Sequence, residues 1–286
     1  MMKIDYATRP LPLSAHQYAV VDRRRVPELP DGWPLIELVS PMLAPQAHLY
    51  PWLLPLHELA ADEWRMFTEQ LAQYPDRDLP PRCSLLLSSS QPPQVVRSAL
   101  VSALYFQDEH RQGHILRYYD PRVLFHLHWM LTPWQLFSLL SAQDIPHWTF
   151  WLDGGWHTLA FPERIAYRSG DSEEMSLQQL QSCGLINQVL ATLPHSADLS
   201  QRRQISRRIA ALLEQALGCG LSAEEDRIAF ARHGLTLRDE FWAMPKMAAF
   251  LAQASQNPDL YRDETNNWDD KRWLDMTRPS NNGWND

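Results

Sequence analysis

The segment that most constrains the fold is residues 113–140, where an apolar stretch runs directly into an Asp-Pro step. Residues 115–119 are aliphatic and aromatic with one polar break, a pattern that predicts a mostly buried strand. Asp120 can accept hydrogen bonds from the amides of a following helical turn, and Pro121 has no amide hydrogen that would need a partner. The sequence therefore predicts that a strand ends at Asp120 and that a helix begins at Pro121.

A second helix is predicted in the same segment by the Thr-Pro step that follows. Thr132 can cap this helix while the side chain of Gln135 reaches back to the Thr132 amide, which is the reciprocal arrangement of a capping box. Because Pro133 cannot continue the preceding helix, we expect a kink or break near Leu131.

The rest of the N-terminal half predicts further strands. Residues 18–22 and 84–89 have strand-like apolar patterns, and residues 147–161 contain Asp153-Gly154-Gly155 between two apolar runs, a strong hairpin signal. A helical pattern joins the strand at 84–89 to the strand near His114, and the handedness rule for such crossovers predicts that these two strands are parallel. We predict an α/β (α+β) domain with a mixed sheet over residues 1–165.

The C-terminal half has a different pattern. Residues 162–174 are polar and are interpreted as a connection, after which Ser176 with Gln179 has the spacing of a capping box. Apolar residues recur at helical spacing in this half, so an all-α lobe is predicted over residues 176–256. Residues 257–286 are rich in Asn and Asp and are predicted to be a polar tail that is mobile or docked as an extended chain.

Charge and composition argue against several partner classes. The net charge of −8 and the isoelectric point near 5.7 give no overall attraction to nucleic acids or anionic membranes. The longest apolar stretch, residues 123–140, is interrupted by polar residues and is predicted to lie in a core. The three cysteines lack the paired spacing of a zinc site, and residues 1–13 lack the pattern of a secretory leader, so the sequence favours a cytoplasmic protein.

Residues that could carry chemistry have simpler structural interpretations. Asp120 with Arg117 or Arg122 could be a catalytic acid and its charge partner, although capping already explains an aspartate before a proline. His126 and His128 diverge by about 200° on a helix and cannot bind one metal from the same face. The sequence therefore predicts no metal and no cofactor. A small hydrolase with a pocket near Asp120, His126 and His128 remains the alternative.

Two sets of residues are candidates for binding a protein partner. Tryptophan and arginine are favoured at protein interfaces, and both are concentrated locally in this sequence. The arginines also allow a third hypothesis, a nucleic-acid-binding helix. The candidate residues are Trp129, Trp134, Trp148, Trp151, Trp156, Arg202, Arg203, Arg207 and Arg208.

The sequence LRYYDPRVL resembles the effector adaptor (chaperone) family of bacterial type VI secretion systems, whose shared domain was long catalogued as one of unknown function. The resemblance covers about residues 17–160, and its core motif is Arg117, Tyr118, Tyr119, Asp120, Pro121 and Arg122. It implies a non-enzymatic cytoplasmic protein of bacteria. Its implied partners are a toxic effector and a VgrG-type spike protein onto which the effector is loaded.

Two expectations follow for the surface that binds a partner. A cleft between the two lobes is a favoured place for binding, since ligand sites often form at domain junctions. Tyr118 and Tyr119 would alternate sides of their predicted strand, so one would face the core and the other the cleft.

Overall fold

The structure is a computed structural model that describes residues 4–26, 28–72, 81–107, 112–167, 176–194 and 198–278. The chain divides into two compact units, Met1–Leu180 and Gln181–Asp286. Most of the polar connection predicted before residue 176 lies outside the described residues. The predicted limits at residues 165 and 176, and the predicted cleft, therefore stay predictions.

The N-terminal unit is built on a seven-stranded sheet in the part of the chain that the structure describes. Its strand order is β1-β9-β8-β5-β2-β4-β3, and every pair is antiparallel. Two further strands form a separate antiparallel ribbon. The strands are β1 (Asp5–Tyr6), β2 (Tyr18–Val21), β3 (Ile36–Glu37), β4 (Trp52–Pro55), β5 (Leu85–Ser88), β6 (Tyr105–Gln107), β7 (Gly113–Ile115), β8 (His147–Leu152) and β9 (Gly155–Ala160).

This topology confirms the α+β class but corrects the prediction of a mixed sheet. The strand near His114 is β7, which pairs with β6 in the ribbon instead of lying parallel to β5. The helix between them therefore does not make a parallel crossover. The predicted strand at residues 115–119 is also wrong in its bounds, because β7 ends at Ile115 and a turn follows at residues 118–120.

The helices of the N-terminal unit cover the sheet, and strand alternation explains how both of its faces are buried. On one face Leu85, Leu87, Trp148 and Phe150 line up through the β5–β8 register, and helix α3 contacts β8. On the other face Leu86 belongs to a buried cluster with Val26, Trp33 and Leu54, which lie in the proline-rich residues 26–56. The helices are α1 (Ala61–Met66), a π-helical turn (Phe67–Ala72), α2 (Pro93–Leu104), α3 (Pro121–Met130) and α4 (Pro133–Leu139).

Prolines recur throughout residues 26–56, and the described helices of this segment are short 3₁₀ helices. Residues 41–49 form a 3₁₀ helix with Pro45 inside it, and shorter 3₁₀ turns occur at Leu13–Ala15 and Leu56–Glu58. Proline removes the amide donors that a long α-helix would need, so tighter and shorter turns replace one.

The C-terminal unit is helical, as predicted. The helices are α5 (Leu177–Leu190), which crosses the boundary between the two units, α6 (Leu199–Gly218), α7 (Glu224–Thr236), a 3₁₀ turn (Phe241–Ala243), α8 (Pro245–Ala254), α9 (Leu260–Thr265) and α10 (Asp270–Met276). The last two helices contradict an extended conformation of the predicted tail as far as residue 278, while its mobility stays a prediction. Within the described residues, no helix is long and apolar enough to cross a membrane.

Candidate functional site

The Asp-Pro step of the core motif forms the helix cap that the sequence predicts. The Oδ1 atom of Asp120 accepts a hydrogen bond from the Arg122 amide at 3.0 Å, and α3 begins at Pro121. The Arg122 guanidinium also donates two hydrogen bonds to the Asp120 carboxylate, with Nε 3.0 Å from Oδ1 and Nη2 2.7 Å from Oδ2. The cap and the ion pair thus use the same side chain, which ties the strand-to-helix turn together.

The charge state of Asp120 fits this structural role. Burial alone would raise the pKa of Asp120, but the hydrogen bonds and the charge of Arg122 outweigh burial and lower that pKa below its usual value. Arg117 adds to this effect and also lies 3.5 Å from the carboxylate of Asp22 at the end of β2. A carboxylate held ionised in this way is poorly suited to donate a proton as a general acid.

The two tyrosines of the motif are both buried, which overturns the prediction that they lie on opposite sides of a strand. They lie in the turn before α3, where residues do not alternate between two faces. The Tyr118 hydroxyl donates to the Leu100 carbonyl at 3.0 Å, and its ring packs edge-on against Trp148 at 5.6 Å. Tyr119 accepts a hydrogen bond from Arg117 Nε at 3.2 Å. Tyr118 therefore joins the turn to α2 and to the sheet, whereas Tyr119 holds Arg117 within the motif.

The two histidines of α3 are held in structural contacts. His126 is fully buried, and its Nδ1 atom accepts a hydrogen bond from the indole of Trp129 at 3.2 Å. The Nε2 atom of His128 lies 2.9 Å from the Ile4 carbonyl, which can only accept, so this nitrogen carries the proton. These contacts give the hydrolase alternative no positive support.

The structure divides the five candidate tryptophans among different environments. Trp148 is fully buried in the core between the sheet and α3, so it cannot contact a partner. Trp129 is half-buried and leans on His126 in the same helix. Trp151 lies on the opposite face of the sheet from Trp148, since side chains three positions apart in a strand point to opposite sides. The five rings therefore do not form one groove.

One surface pair of aromatic rings combines a predicted candidate with a residue that the sequence analysis missed. The ring of Trp134, in the first turn of α4, meets Tyr167 edge-on at 5.3 Å. Tyr167 is 56% exposed although its ring contacts Trp134. We call these two side chains the Trp134–Tyr167 pair.

A second surface pair lies at the end of the β8–β9 hairpin. Trp151 and Trp156 are directly opposite each other in the register, and their half-buried rings meet edge-on at 5.6 Å. The turn between them has positive φ at Asp153 (48°) and Gly154 (85°), the backbone geometry of the tight turn that the sequence predicts. We call these two side chains the Trp151–Trp156 pair.

The four arginines of α6 do not share one environment. Arg202 is buried, whereas Arg203 is half-buried and Arg207 and Arg208 are exposed. The Arg208 guanidinium donates to the Gly234 carbonyl at 3.0 Å and to Asp239 at 3.3 Å. Arg202 and Arg208 are therefore part of the packing of the helical unit, and Arg207 is the most accessible candidate for a partner.

The sequence analysis also missed a depression in the C-terminal unit, of about 380 Å³, at the end of α7 beside α10. Its lining includes His233 and Trp273, whose rings are 4.5 Å apart, and the 57% exposed Leu274. Burial, with a contribution from Arg232, lowers the pKa of His233 to about 4, so its ring is neutral at physiological pH. The sequence does not indicate this depression, because it predicts a tail where α10 supplies part of the lining.

Comparison with known families finds a match over part of the sheet and over the core motif. Residues 18–137 match the family model of a domain of unknown function, DUF4123. The matched region covers β2 to α4 and includes all six residues of the core motif. Neither the curated proteins nor the solved structures that were compared gave a significant match.

Proposed function

We propose that this protein is a non-enzymatic cytoplasmic adaptor that binds a type VI secretion effector and loads it onto a VgrG-type spike protein. The DUF4123 match over residues 18–137 carries this proposal, because that domain is associated with effector adaptors of type VI secretion. It agrees with the resemblance of the RYYDPR motif.

The chemistry of the motif supports a binding role over a catalytic one. Three polar groups of the motif have structural contacts: the Asp120 carboxylate caps α3, the Arg122 guanidinium pairs with that carboxylate, and the Tyr118 hydroxyl donates to a backbone carbonyl. A motif used in this way stabilises the domain. We infer that the family signature marks the scaffold and that partner recognition lies on the surface.

The Trp134–Tyr167 pair is the surface feature of the N-terminal unit that best suits an effector contact. Aromatic rings contribute large contact areas with little loss of side-chain entropy, so they dominate many protein interfaces. Tyr167 has an exposed ring, and the edge-on contact with Trp134 supports this ring. An apolar segment of the effector, covered before delivery, would pack against this pair.

Copurification of the tagged full-length chain with the products of neighbouring genes should identify the effector and the spike protein. Calorimetric titration of each purified partner should then give separate affinities. We expect Tyr167→Ala and Trp134→Ala each to weaken effector binding by about 1–2 kcal/mol or more, in the range of interface hot spots.

Val95→Ala is the control, because Val95 is also an exposed apolar residue (37%) but takes no part in the Trp134–Tyr167 pair. This variant should bind the effector as the parent does, and all three variants should melt near the parental temperature. Failure of the parent chain to bind any effector or spike protein would refute the proposal. Turnover of ester or peptide substrates that Asp120→Asn abolishes would instead establish the hydrolase.

A further inference from the structure

The depression at the end of α7 surrounds an aromatic ring with hydrogen-bond acceptors. The Thr236 hydroxyl donates to the His233 carbonyl at 3.2 Å, and the Thr277 hydroxyl donates to the Trp273 carbonyl at 2.8 Å. Since each hydroxyl gives its only hydrogen to its own helix, the lone pairs of its oxygen remain available to a ligand. The carboxylate of Asp270 is the third polar group of this lining, and it too accepts hydrogen bonds.

The Asp270 carboxylate is available to a cation because its neighbour caps the helix. Helix α10 begins at Asp270, and the Oδ1 atom of Asp269 accepts the Arg272 amide at 2.7 Å. In the part of the chain that the structure describes, the exposed Asp270 side chain makes neither an ion pair nor a hydrogen bond. Its carboxylate therefore adds an unpaired negative charge to the lining of the depression.

The charged groups around Asp270 limit how much positive charge the depression accepts. Burial lowers the pKa of His233 to about 4, so its ring is neutral at pH 7 and does not repel a cation. Arg232 lies close enough to His233 to add to this lowering of the pKa. Lys271 and Arg272 follow Asp270 in α10, and both are exposed. One basic group suits this setting, whereas a run of basic residues would be repelled by the cations around it.

The apolar part of the lining suits a long side chain with a charged end. Leu237 and Leu274 line the depression together with the Trp273 indole, and Leu274 is 57% exposed. An arginine side chain has an apolar stem and ends in a planar cation with five hydrogen-bond donors. Tryptophan is the most favourable aromatic contact for such a cation. The volume of about 380 Å³ is at the small end of the range for ligand pockets, as expected for one side chain.

We propose that this depression binds an arginine side chain of a partner protein, with its guanidinium on the Asp270 carboxylate and its stem against Leu274 and Trp273. In an extended partner segment, a leucine two positions from this arginine lies on the same side and covers the exposed Leu274. This inference rests on the proposed adaptor function and gives the C-terminal unit its own contact with a partner.

Fluorine NMR of the full-length protein labelled with 5-fluorotryptophan tests the site directly. The chain has 12 tryptophans, and the Trp273 resonance is the one that Trp273→Phe removes. The probe is an acetylated and amidated heptapeptide with arginine at its centre, leucine two positions to either side and serine elsewhere. We expect it to shift the Trp273 resonance but not those of the N-terminal unit, with an affinity that falls as salt is raised. An unchanged Trp273 resonance would overturn the proposal.

Three comparison peptides test the chemistry of recognition. Citrulline in place of arginine keeps the shape of the side chain without its charge, and we expect roughly three- to tenfold weaker binding. Lysine should also bind less well, because its ammonium is a point charge with fewer donors. Replacing both leucines by arginine should not strengthen binding. Equal binding of the citrulline or lysine peptide would overturn the proposal, as would tighter binding of the triple-arginine peptide, which would indicate general attraction to a protein of net charge −8.

Asp270→Asn is the decisive variant, because it removes the charge and keeps the size of an exposed side chain. We expect roughly three- to tenfold weaker binding of the arginine peptide, with a melting temperature near that of the parent. Glu214→Gln makes the same charge change at an exposed position of α6 outside the lining, and it should bind as the parent does. Parental affinity in Asp270→Asn would reject the site.

The same measurements separate this inference from the adaptor proposal. If the parent binds an effector or spike protein but the arginine peptide does not shift Trp273, this inference fails and the adaptor function stands. If the peptide shifts Trp273 but no secretion protein binds, the adaptor function fails and the site stands. A Trp273 resonance that shifts with protein concentration alone would assign the depression to a second copy of the chain and overturn the proposal. Free arginine that binds as tightly as the peptide would make it a small-molecule site, with the same consequence.

Discussion

The buried carboxylate of Asp226 in α7 accepts the backbone amide of Arg262 in the first turn of α9, with 2.8 Å between Oδ1 and N. Its other oxygen accepts the Asp259 amide at 2.9 Å. The start of a helix exposes amides that have no partner within that helix, so one side chain of α7 caps a helix more than 30 residues later in the sequence. This contact joins α9 to α7 within the C-terminal unit.

We therefore expect Asp226→Ala to loosen α9. Two part-buried amides would lose their acceptor, which should cost about 1–3 kcal/mol in total because water can partly replace the lost bonds. Hydrogen exchange should show faster exchange in α9 and α10 than in α6. Asp226→Asn is the matched control, because its side-chain oxygen can still accept one of the two bonds and should give a smaller effect. Unchanged protection of α9 in Asp226→Ala would contradict this account of the cap.

The contrast between Asp120 and Asp226 shows which parts of this fold the sequence predicts. Asp120 caps its own helix, so its role follows from the local Asp-Pro pattern, and the same holds for Thr132 with Gln135. Asp226 caps a helix distant in sequence, and no local pattern indicates that contact. Residues 257–278 were consequently interpreted as a tail.

The errors in the sheet have the same origin. Individual strands follow from local apolar patterns, and the β8–β9 hairpin follows from its turn sequence. The pairing of β7 with β6 in place of the main sheet depends on the whole topology. The Trp134–Tyr167 pair likewise depends on a tertiary contact, so the sequence identified Trp134 as a candidate but not its partner Tyr167.

Asp120 should contribute to stability in a way that depends on pH. Asp120→Ala removes both the cap and the partner of Arg122, so we expect a loss of about 1 kcal/mol or somewhat more near neutral pH. Because the folded-state pKa of Asp120 is lowered, its contribution is present above the unfolded value near 3.8 and is lost as the pH falls through the folded pKa.

Chemical denaturation of the parent and of Asp120→Ala at pH 7 and pH 3 measures this difference. Asp120→Asn separates the two roles, since asparagine is also a good cap but carries no charge for Arg122. A stability difference between parent and Asp120→Ala that is as large at pH 3 as at pH 7 would show that the ion pair contributes nothing.

His16 should make the N-terminal unit sensitive to mild acid. Its Nδ1 atom lies 3.2 Å from the Leu13 carbonyl and must donate, so Nε2 accepts from Thr149 at 2.8 Å. Thr149 in turn bonds to Thr158, which accepts the Leu11 amide. Each donor in this chain has an acceptor only while His16 is neutral.

Burial, with a smaller contribution from His147, lowers the pKa of His16 below 6.5. The stability that neutral His16 provides is therefore complete above pH 6.5 and is lost as the pH falls from 6.5 towards the folded pKa. Urea denaturation at pH 7.5 and pH 5.5 should show a smaller pH effect in His16→Gln than in the parent. Identical pH effects in the two proteins would exclude His16 as the responsible group.

The close packing of α6 against α7 depends on Gly234. A Cβ atom at this position would overlap Cδ2 of Leu212, so Gly234→Ala would force the Leu212 side chain to move or the helices to separate. We expect a loss of about 1–3 kcal/mol, typical of overpacking, although alanine is the better helix former. Gly184 in α5 is the matched control, because within the described residues a Cβ added there would meet no atom within 4 Å apart from its chain neighbours and the backbone of its own helix. Gly184→Ala should be neutral or stabilising by up to about 1 kcal/mol.

Combining Gly234→Ala with Leu212→Ala should cost less than the sum of the two single changes, because the truncated Leu212 side chain makes room for the new methyl group. Additive losses in thermal denaturation would place the strain of Gly234→Ala elsewhere than at Leu212.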